Sequence, residues 1–309
     1  MRWEDLPESQ NVEDRRGEEG GGGGFGRGGG GFPGGAGGVG IGTVLILGLI
    51  GYATGIDPSL LIGMADQFSR QQPRIEQNQP SRPPGASPKD ESGRFVTRIL
   101  ASTESTWKDI FAKSNRNYRA PVLVLYSGST RANCGGQAMA AMGPFYCPAD
   151  KKIYLDTSFF DMIERRFKGC DVGSQSCRFA QAYVIAHEVG HHVQNELGIL
   201  ERAQRQQQVA GGRTPEANRI QVRVELQADC LAGIWANRAQ ERLSPGDIEA
   251  ALRTASAIGD DTLQRRSQGQ VVPDSFTHGS SEQRQRWFYT GFKQGTVDGC
   301  NTFSPSAQL

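Results

Sequence analysis

Three of the four histidines in the chain lie within six residues, and their spacing indicates a metal site. His187 and His191 are four positions apart, so a helix would place both imidazoles on one face, within reach of one ion. Glu188 follows the first histidine and is rotated away from that line, which suits contact with a metal-activated water better than contact with the metal. This is the HExxH pattern of zinc sites, with the glutamate as general base. The sequence therefore predicts a bound Zn²⁺ ion with Glu188 as the catalytic residue.

A catalytic zinc ion usually has three protein ligands, so the third must come from elsewhere in the chain. Glu225 and Asp229 are again four residues apart, in a segment with many apolar neighbours. Two carboxylates in such a helix are costly to bury unless they are coordinated or hydrogen-bonded. We expect Glu225 to complete the metal site and Asp229 to accept the free N–H of a ligand histidine. The alternatives are Asp229 as the ligand and a solvated face paired with Arg223.

The elements that must position these residues are predicted to be a few strands followed by long helices. Apolar runs and helical periodicity define the segments. The strands are expected at residues 121–126, 143–148 and 153–156, and the helices at 95–113, 158–167, 178–208, 215–240 and 245–266. Strands followed by helices indicate an α+β fold with a small sheet and a mostly helical remainder.

The chain before this domain divides into three segments of different composition. Residues 1–35 are charged and then glycine-rich, which predicts a disordered tail. Residues 36–55 contain no charged side chain, which predicts one transmembrane helix in contact with the lipid bilayer. Residues 56–94 are rich in proline and glutamine, which predicts an extended stalk. The folded domain is then expected at residues 95–303.

Two other interpretations of residues 36–55 are disfavoured. A cleaved signal peptide has a short basic stretch directly before its apolar core, whereas more than thirty residues precede this one. A buried core helix would find nothing to pack against among polar, glycine-rich flanks. Four arginines lie before the segment, while the first basic residue after it is Arg70, so the positive-inside rule predicts a cytoplasmic amino terminus. The domain after the segment is then expected to be external, either periplasmic or extracellular.

The net charge and the positions of the cysteines indicate which class of partner is disfavoured and which cellular compartment is expected. The 34 basic and 33 acidic residues nearly cancel, which disfavours nucleic acid as a partner. All six cysteines follow the predicted membrane segment, as expected in an oxidising compartment. A free Cys230 thiol and a cysteine-rich second zinc site are alternatives to disulfides. Cys134 with Cys147, and Cys170 with Cys177, are close enough in sequence to close small loops, which leaves Cys230 with Cys300 as a third pair; this is one of the fifteen connectivities that six cysteines permit.

Longer strings of residues resemble a known family. They are MRW at 1–3, NVEDRR at 11–16, GPFYCP at 143–148, IYLD at 153–156, HEVGHH at 187–192, ELQADC at 225–230, GDD at 259–261 and FTHG at 276–279. Together they resemble the neutral zinc metallopeptidases, a family of bacterial membrane-anchored proteins with the HExxH and ExxxD motifs of gluzincins. The resemblance spans nearly the whole chain. It implies a gluzincin-like fold, bound zinc and hydrolysis of peptide or protein substrates, as an endopeptidase more than an exopeptidase.

The implied reaction needs one more group besides the metal and the base. Zinc would lower the pKa of a bound water, and Glu188 would take its proton and pass it to the leaving amine. A further donor must stabilise the oxyanion that develops on the carbonyl. His278 is the expected donor, because its position is similar to that of the downstream histidine or arginine of gluzincins. Arg284, Tyr183 and Tyr289 are the alternatives.

The residues around the site also have expected roles. His192 is expected to pack or hydrogen-bond behind the zinc helix. Residues 134–146 are the candidate sheet edge for an extended substrate, although their composition fits a loop equally well.

A different class of function is a non-catalytic cell-envelope interaction module that zinc stabilises. Glu188 favours the enzyme, because a structural zinc site is closed by four protein ligands and has no use for a base.

Overall fold

The structure is a computed structural model of the 309-residue chain. It describes residues 1–17 and 88–309, except for residues 135, 141, 142, 167, 169, 172, 173 and 213. The predicted transmembrane helix at 36–55 lies outside the described residues, as do the glycine tract and almost all of the predicted stalk. Among the residues that are described, no helix is long and apolar enough to cross a bilayer.

A small sheet joins strands that are far apart in the sequence. The strands are β1 (Val12–Asp14), β2 (Val122–Tyr126), β3 (Ser129–Ala132), β4 (Gly136–Met139), β5 (Phe145–Cys147) and β6 (Lys152–Asp156). Within the described chain, four of them form one sheet in the order β1-β2-β6-β5, and β3 and β4 form a hairpin. β2 pairs in parallel with β1 and β6, while β5 pairs antiparallel to β6. β2 and β6 are almost continuously buried, as expected for central parallel strands.

Helices make up most of the rest of the domain. They are α1 (Glu91–Lys113), α2 (Ser158–Asp161), α3 (Gln175–Glu196), α4 (Ile199–Val209), α5 (Pro215–Arg238), α6 (Asp247–Ala257), α7 (Asp260–Gln268) and α8 (Ser281–Gln294). α3 and α5 are buried around most of their circumference, and α8 packs along α5. Their starts follow local capping rules: Ser174 and Thr214 accept N–H bonds at the N-termini of α3 and α5. The predicted α+β class, with a small sheet and a mostly helical remainder, is confirmed.

Two predicted helices are each divided in two. The segment 178–208 forms α3 and α4, because Gly198 adopts a φ of +70° that ends the first helix. The segment 245–266 forms α6 and α7, and α6 begins at Asp247 rather than at residue 245. At the break, a Cβ on Gly259 would lie 2.5 Å from the backbone nitrogen of Ser281. The break therefore lets the start of α8, a helix that the sequence pattern did not predict, approach this turn.

Residues 1–17 are part of the folded domain, so the prediction of a disordered tail is wrong for them. β1 lies in the sheet, and the apolar side chains before and within it are buried. These side chains are Met1, Trp3, Leu6 and Val12. The sequence pattern missed them because they are isolated in a charged stretch beside a glycine tract, and their burial depends on contacts with distant elements. The domain also begins earlier than residue 95, since α1 starts at Glu91, inside the predicted stalk.

All six cysteines form disulfides in the three predicted pairs. Cys134–Cys147 joins the β3–β4 hairpin region to β5, and Cys170–Cys177 closes the loop that leads into α3. Cys230–Cys300 connects α5 to a short 3₁₀ helix near the end of the chain. The alternatives of a free Cys230 thiol and a cysteine-rich zinc site are therefore wrong.

Candidate metal centre

The two predicted motifs lie on α3 and α5, and a glycine allows these helices to pack closely. A Cβ at Gly190 would lie 2.9 Å from the carbonyl oxygen of Ala228 on α5 and 3.1 Å from its Cα. A side chain would therefore separate the two backbones. Because none is present, α3 can bring His187 and His191 up against Glu225.

Three ligand atoms converge on one point. Nε2 of His187 lies 3.2 Å from Nε2 of His191 and 3.2 Å from Oε2 of Glu225, and Nε2 of His191 lies 3.4 Å from the same oxygen. Ligands held tetrahedrally at ~2.0–2.1 Å from zinc are about 3.3 Å from one another. The spacing fits a zinc ion, which would be shared by the lone pairs of the two ring nitrogens and of the carboxylate oxygen.

The charges around these atoms also favour a cation. Burial opposes a charge on His187, but Asp229 and Glu225 outweigh burial and raise its pKa to about 10. Burial likewise tends to raise the pKa of Glu225, yet the nearby His191 and His278 hold it well below its usual value. A divalent metal ion would satisfy the same charge balance with both ligand histidines neutral.

Asp229 orients the first ligand histidine and is itself held by a buried arginine. His187 donates its Nδ1 proton to Asp229 at 2.8 Å, so its Nε2 lone pair faces the metal position. Arg284 donates to both carboxylate oxygens of Asp229 at 2.8 and 2.9 Å, and the Tyr183 hydroxyl donates to Oδ1 at 2.6 Å. Burial disfavours the ionised carboxyl, but Arg284 and His187 hold the pKa of Asp229 well below its usual value. The structure thus places Asp229 behind a ligand, with its oxygens turned away from the metal position.

Two glutamines that the sequence pattern did not predict support the other ligands. Gln194 accepts the Nδ1 proton of His191 at 2.9 Å, and Gln221 donates to Oε1 of Glu225 at 2.9 Å. Gln194 is in turn fixed to α5, where it donates to the Val224 carbonyl at 2.7 Å. The spacing could have pointed to both, because Gln194 follows its histidine by three positions and Gln221 precedes its glutamate by four.

The predicted base lies beside the ligands in a buried environment. Glu188 is 7% exposed, and burial raises the pKa of its carboxyl above the usual value. A carboxylate with a raised pKa holds a proton more readily near neutral pH, as a group that takes and returns a proton must.

Two of the four candidate oxyanion donors are occupied elsewhere. Arg284 and Tyr183 are buried and direct their donors to Asp229. Tyr289 is 42% exposed and lies against Phe292 on the outer part of α8.

His278 is held in place by a buried aspartate. Oδ2 of Asp260 accepts three consecutive backbone N–H groups, from Thr277 at 2.7 Å, His278 at 2.6 Å and Gly279 at 3.0 Å. Burial opposes protonation of His278, but Glu225 and Asp260 raise its pKa. The next residue, Gly279, lies against α5, where a Cβ on it would be 3.1 Å from Cδ2 of Leu226, the neighbour of Glu225. The sequence pattern singled out Asp260 only within the GDD string at 259–261, with no role toward His278.

His192 lies on α3 and faces the sheet instead of the candidate metal site. It accepts a hydrogen bond from the Tyr146 hydroxyl at 3.0 Å and donates to the Arg119 carbonyl at 2.6 Å. Burial lowers its pKa, so it is neutral near pH 7. These contacts agree with a packing role behind the site, and they fix β5 against α3.

The site's geometry agrees with the comparison to known families. A family model described as "Putative neutral zinc metallopeptidase" matches residues 1–303. The chain belongs to this family. The match includes residues 1–17 as well as both metal-site motifs, so the family pattern covers the amino-terminal segment that folds into the domain.

Several bacterial proteins are similar to this chain over much of their length. "Uncharacterized protein YpfJ" from Escherichia coli (strain K12) is 48% identical over 313 residues, which cover 99% of this chain and all of the relative. "Uncharacterized protein Mb2605" from Mycobacterium bovis and "Uncharacterized protein Rv2575" from Mycobacterium tuberculosis are each 42% identical over 230 residues. Those residues cover 69% of this chain and 73% of each relative. No solved structure matches the chain, and the gluzincin-like fold stays a prediction of the motifs.

Proposed function

We propose that this protein is a zinc-dependent peptidase that hydrolyses internal peptide bonds. The proposal rests on the convergence of His187, His191 and Glu225 at the spacing of tetrahedral zinc ligands, with buried Glu188 on the same helix. Among the described residues, these three form the one group able to share an ion, which leaves a coordination position for chemistry. Zinc bound there would polarise a carbonyl group and lower the pKa of a water molecule.

The protein's own residues then divide the remaining work. Glu188 accepts a proton from the attacking water and delivers it to the leaving amine. Asp229 and Gln194 keep the Nδ1 protons on the two ligand histidines, so that both Nε2 atoms are available to the metal. His278 donates to the carbonyl oxygen as negative charge develops, and Asp260 holds its loop in position.

An extended peptide is proposed to bind along β5. In the described part of the sheet, β5 is the strand at the end opposite β1. Its residue Tyr146 contacts His192, the neighbour of a ligand, so this edge runs beside the zinc helix. Such an edge can pair with a substrate strand through backbone hydrogen bonds. The predicted edge at 134–146 overlaps β5 only at its end, and most of it belongs to the β3–β4 hairpin region.

The domain is proposed to lie outside the cytoplasm, in the periplasm or the extracellular space. The three disulfides support this proposal, because such bonds persist in oxidising compartments. Alkylation of intact cells before lysis, followed by mass spectrometry, should find all six cysteines protected. Free thiols in most molecules would contradict an external location. Bilayer contact through residues 36–55 stays a prediction.

Turnover of an unstructured protein by the purified full-length chain tests the function. Glu188→Gln should lower the rate by about 10²–10⁴-fold while one zinc per chain is retained. Glu225→Ala should lose the zinc as well. Glu196→Gln, on the same helix but paired with Lys151, is the matched control and should keep full activity.

Two results would contradict the proposal. Undiminished cleavage by the Glu188→Gln variant would remove this residue from the mechanism. Zinc bound at full occupancy without turnover of any substrate would instead favour a non-catalytic envelope module.

A further inference from the structure

We propose that residues 1–17 and the domain at residues 88–309 lie on the same side of any membrane that this chain enters. The inference is independent of the proposed peptidase activity. A single crossing by residues 36–55, with the amino terminus in the cytoplasm and the domain outside, would put them on opposite sides. The contacts of the described residues exclude that arrangement.

Backbone hydrogen bonds connect the amino-terminal segment to the centre of the sheet. The N–H of Leu123 in β2 donates to the carbonyl of Asn11 at 2.8 Å, and the N–H of Arg15 donates to the carbonyl of Leu125 at 2.8 Å. Between these bonds, Glu13 lies opposite Val124 in a parallel register. A hydrocarbon layer ~30 Å thick cannot separate atoms that are hydrogen-bonded to each other.

Side-chain contacts extend this docking to other elements. Lys152 of β6 binds Glu13 at 2.6 Å, and Arg16 binds Asp90, the N-cap of α1, at 2.7 Å. The amino nitrogen of Met1 lies 2.8 Å from Asp247 in α6, and both residues are fully buried. The segment is thus attached to the sheet and to two helices along its whole length.

The two ends of the undescribed segment lie next to each other. The Arg16 side chain and Pro88 both lie within 3 Å of the position that a Cβ on Gly93 would take. The described chain therefore breaks off after Gly17 and resumes at Pro88 at nearly the same place on the domain. A path that starts and ends on one body crosses a membrane an even number of times or not at all.

Three of the four arginines that predicted the orientation make contacts within the fold, and the fourth, Arg27, lies outside the described residues. Arg15 donates to the Thr130 hydroxyl and to the Arg131 carbonyl, each at 3.3 Å, and Arg16 binds Asp90 at 2.7 Å. The Arg2 side chain donates to the backbone carbonyl of Glu241. These side chains therefore act in docking the segment. The number of arginines before residue 36 therefore no longer indicates the orientation of the chain in a membrane.

Zero-length cross-linking tests the docking in the intact protein. A carbodiimide joins an amine to a carboxylate in contact, so full-length chain treated in crude cell fractions should yield a Glu13–Lys152 linked peptide. The Lys151–Glu196 pair, at 2.8 Å within the domain, is the internal control. Lys152→Arg should keep the ion pair but abolish only the first product. A strong control link without the Glu13–Lys152 link would overturn the proposal.

Epitope accessibility tests the sidedness directly. One variant carries an epitope after Gly17, which is exposed with open space around it, and another carries the epitope after Leu309. Antibody binding to intact and to permeabilised spheroplasts should be the same for both variants. An epitope accessible at one position and protected at the other would overturn the proposal. Neither result depends on zinc binding or turnover.

Discussion

The two ligand histidines are oriented by groups of different charge. His187 donates to the carboxylate of Asp229, whereas His191 donates to the neutral amide of Gln194. A carboxylate partner makes an imidazole a stronger metal ligand than an amide partner does. The buried carboxylate needs its own counter-charge, and Arg284 supplies one through two hydrogen bonds that also fix its rotation. Arg284 is therefore a positioning residue that acts on the metal through Asp229 and His187.

Replacement of this arginine should weaken zinc binding. Arg284→Met leaves Asp229 without its cation, and we expect about 10–100-fold lower zinc affinity. Arg284→Lys keeps the charge but loses the two-pronged contact, so its affinity should fall between those of the wild type and Arg284→Met. Competition with a chromophoric chelator measures the dissociation constants. Arg205→Met, which removes an exposed pair with Glu201 on α4, should leave affinity unchanged. Equal affinities for all four proteins would contradict this role.

Among the elements, the crossing of α3 and α5 is the one that forms the site. Its separation is set by Gly190, which lies between the ligands of α3 and faces the backbone of Ala228. The same helix pair carries all three candidate ligands, so a small change in helix separation changes the geometry of the candidate metal site directly.

A methyl group at this crossing should damage stability and zinc binding together. Gly190→Ala would place its Cβ 2.9 Å from a backbone oxygen, a contact that can be relieved only by moving a helix. We expect a loss of about 1–3 kcal/mol in the free energy of unfolding of the zinc-free protein. Zinc affinity should fall as well, because Glu225 moves with α5. Urea unfolding and chelator competition measure the two effects, and a stable variant with wild-type affinity would show that the helices are not in such close contact.

The start of α1 links helix capping to the docking of the amino-terminal segment. Asp90 accepts the N–H of Gly93 as N-cap and also binds Arg16. Its bond to Arg16 is the main cause that lowers its pKa from 3.8 to about 2, and burial only partly opposes it.

This shift predicts a loss of stability in acid. Because the folded pKa is below the unfolded one, the stabilisation is complete above about pH 4 and is lost as the pH falls through about 2. The side chain is 45% exposed, so solvent screening limits the contribution to about 1 kcal/mol. Asp90→Asn should lower the free energy of unfolding by that amount at pH 7 and flatten its dependence between pH 4 and 2. Urea titrations across that range measure both, and parallel curves for the two proteins would contradict the assignment.

At the scale of the whole molecule, contacts between distant segments hold both ends of the described chain to the domain. β1 joins residues near the amino terminus to the sheet, and the Cys230–Cys300 disulfide joins α5 to residues near the carboxyl terminus. The second link spans 70 residues, compared with 13 for Cys134–Cys147.

Removal of the longer link should be the more destabilising. The entropy of the unfolded chain predicts a loss of about 4 kcal/mol for the 70-residue loop and about 3 kcal/mol for the 13-residue loop. The double variants Cys230→Ala with Cys300→Ala, and Cys134→Ala with Cys147→Ala, allow the comparison by urea unfolding. A smaller effect for the longer loop would show that local packing outweighs chain entropy.

The candidate metal ligands and much of the helical framework could be predicted from the sequence. The four-residue spacing of His187 and His191, and of Glu225 and Asp229, places each pair on one helical face whatever surrounds the helix. Strands β2, β5 and β6 and helix α5 were predicted nearly at their observed bounds for a similar reason, because periodicity and apolar runs are local properties.

Only the tertiary structure decided what those local elements contact. Arg284 on α8 supports Asp229 on α5, and an arginine does not by itself suggest a metal site. Gln194 and Gln221 lie one helical turn from the residues they support, but the bond that fixes Gln194 to the Val224 carbonyl depends on the packing of α3 against α5. The fold of residues 1–17 depends on a parallel partner strand more than a hundred positions away. Helical periodicity arises from bonds within a few residues, whereas pairing and burial across such distances depend on the packing of the whole chain.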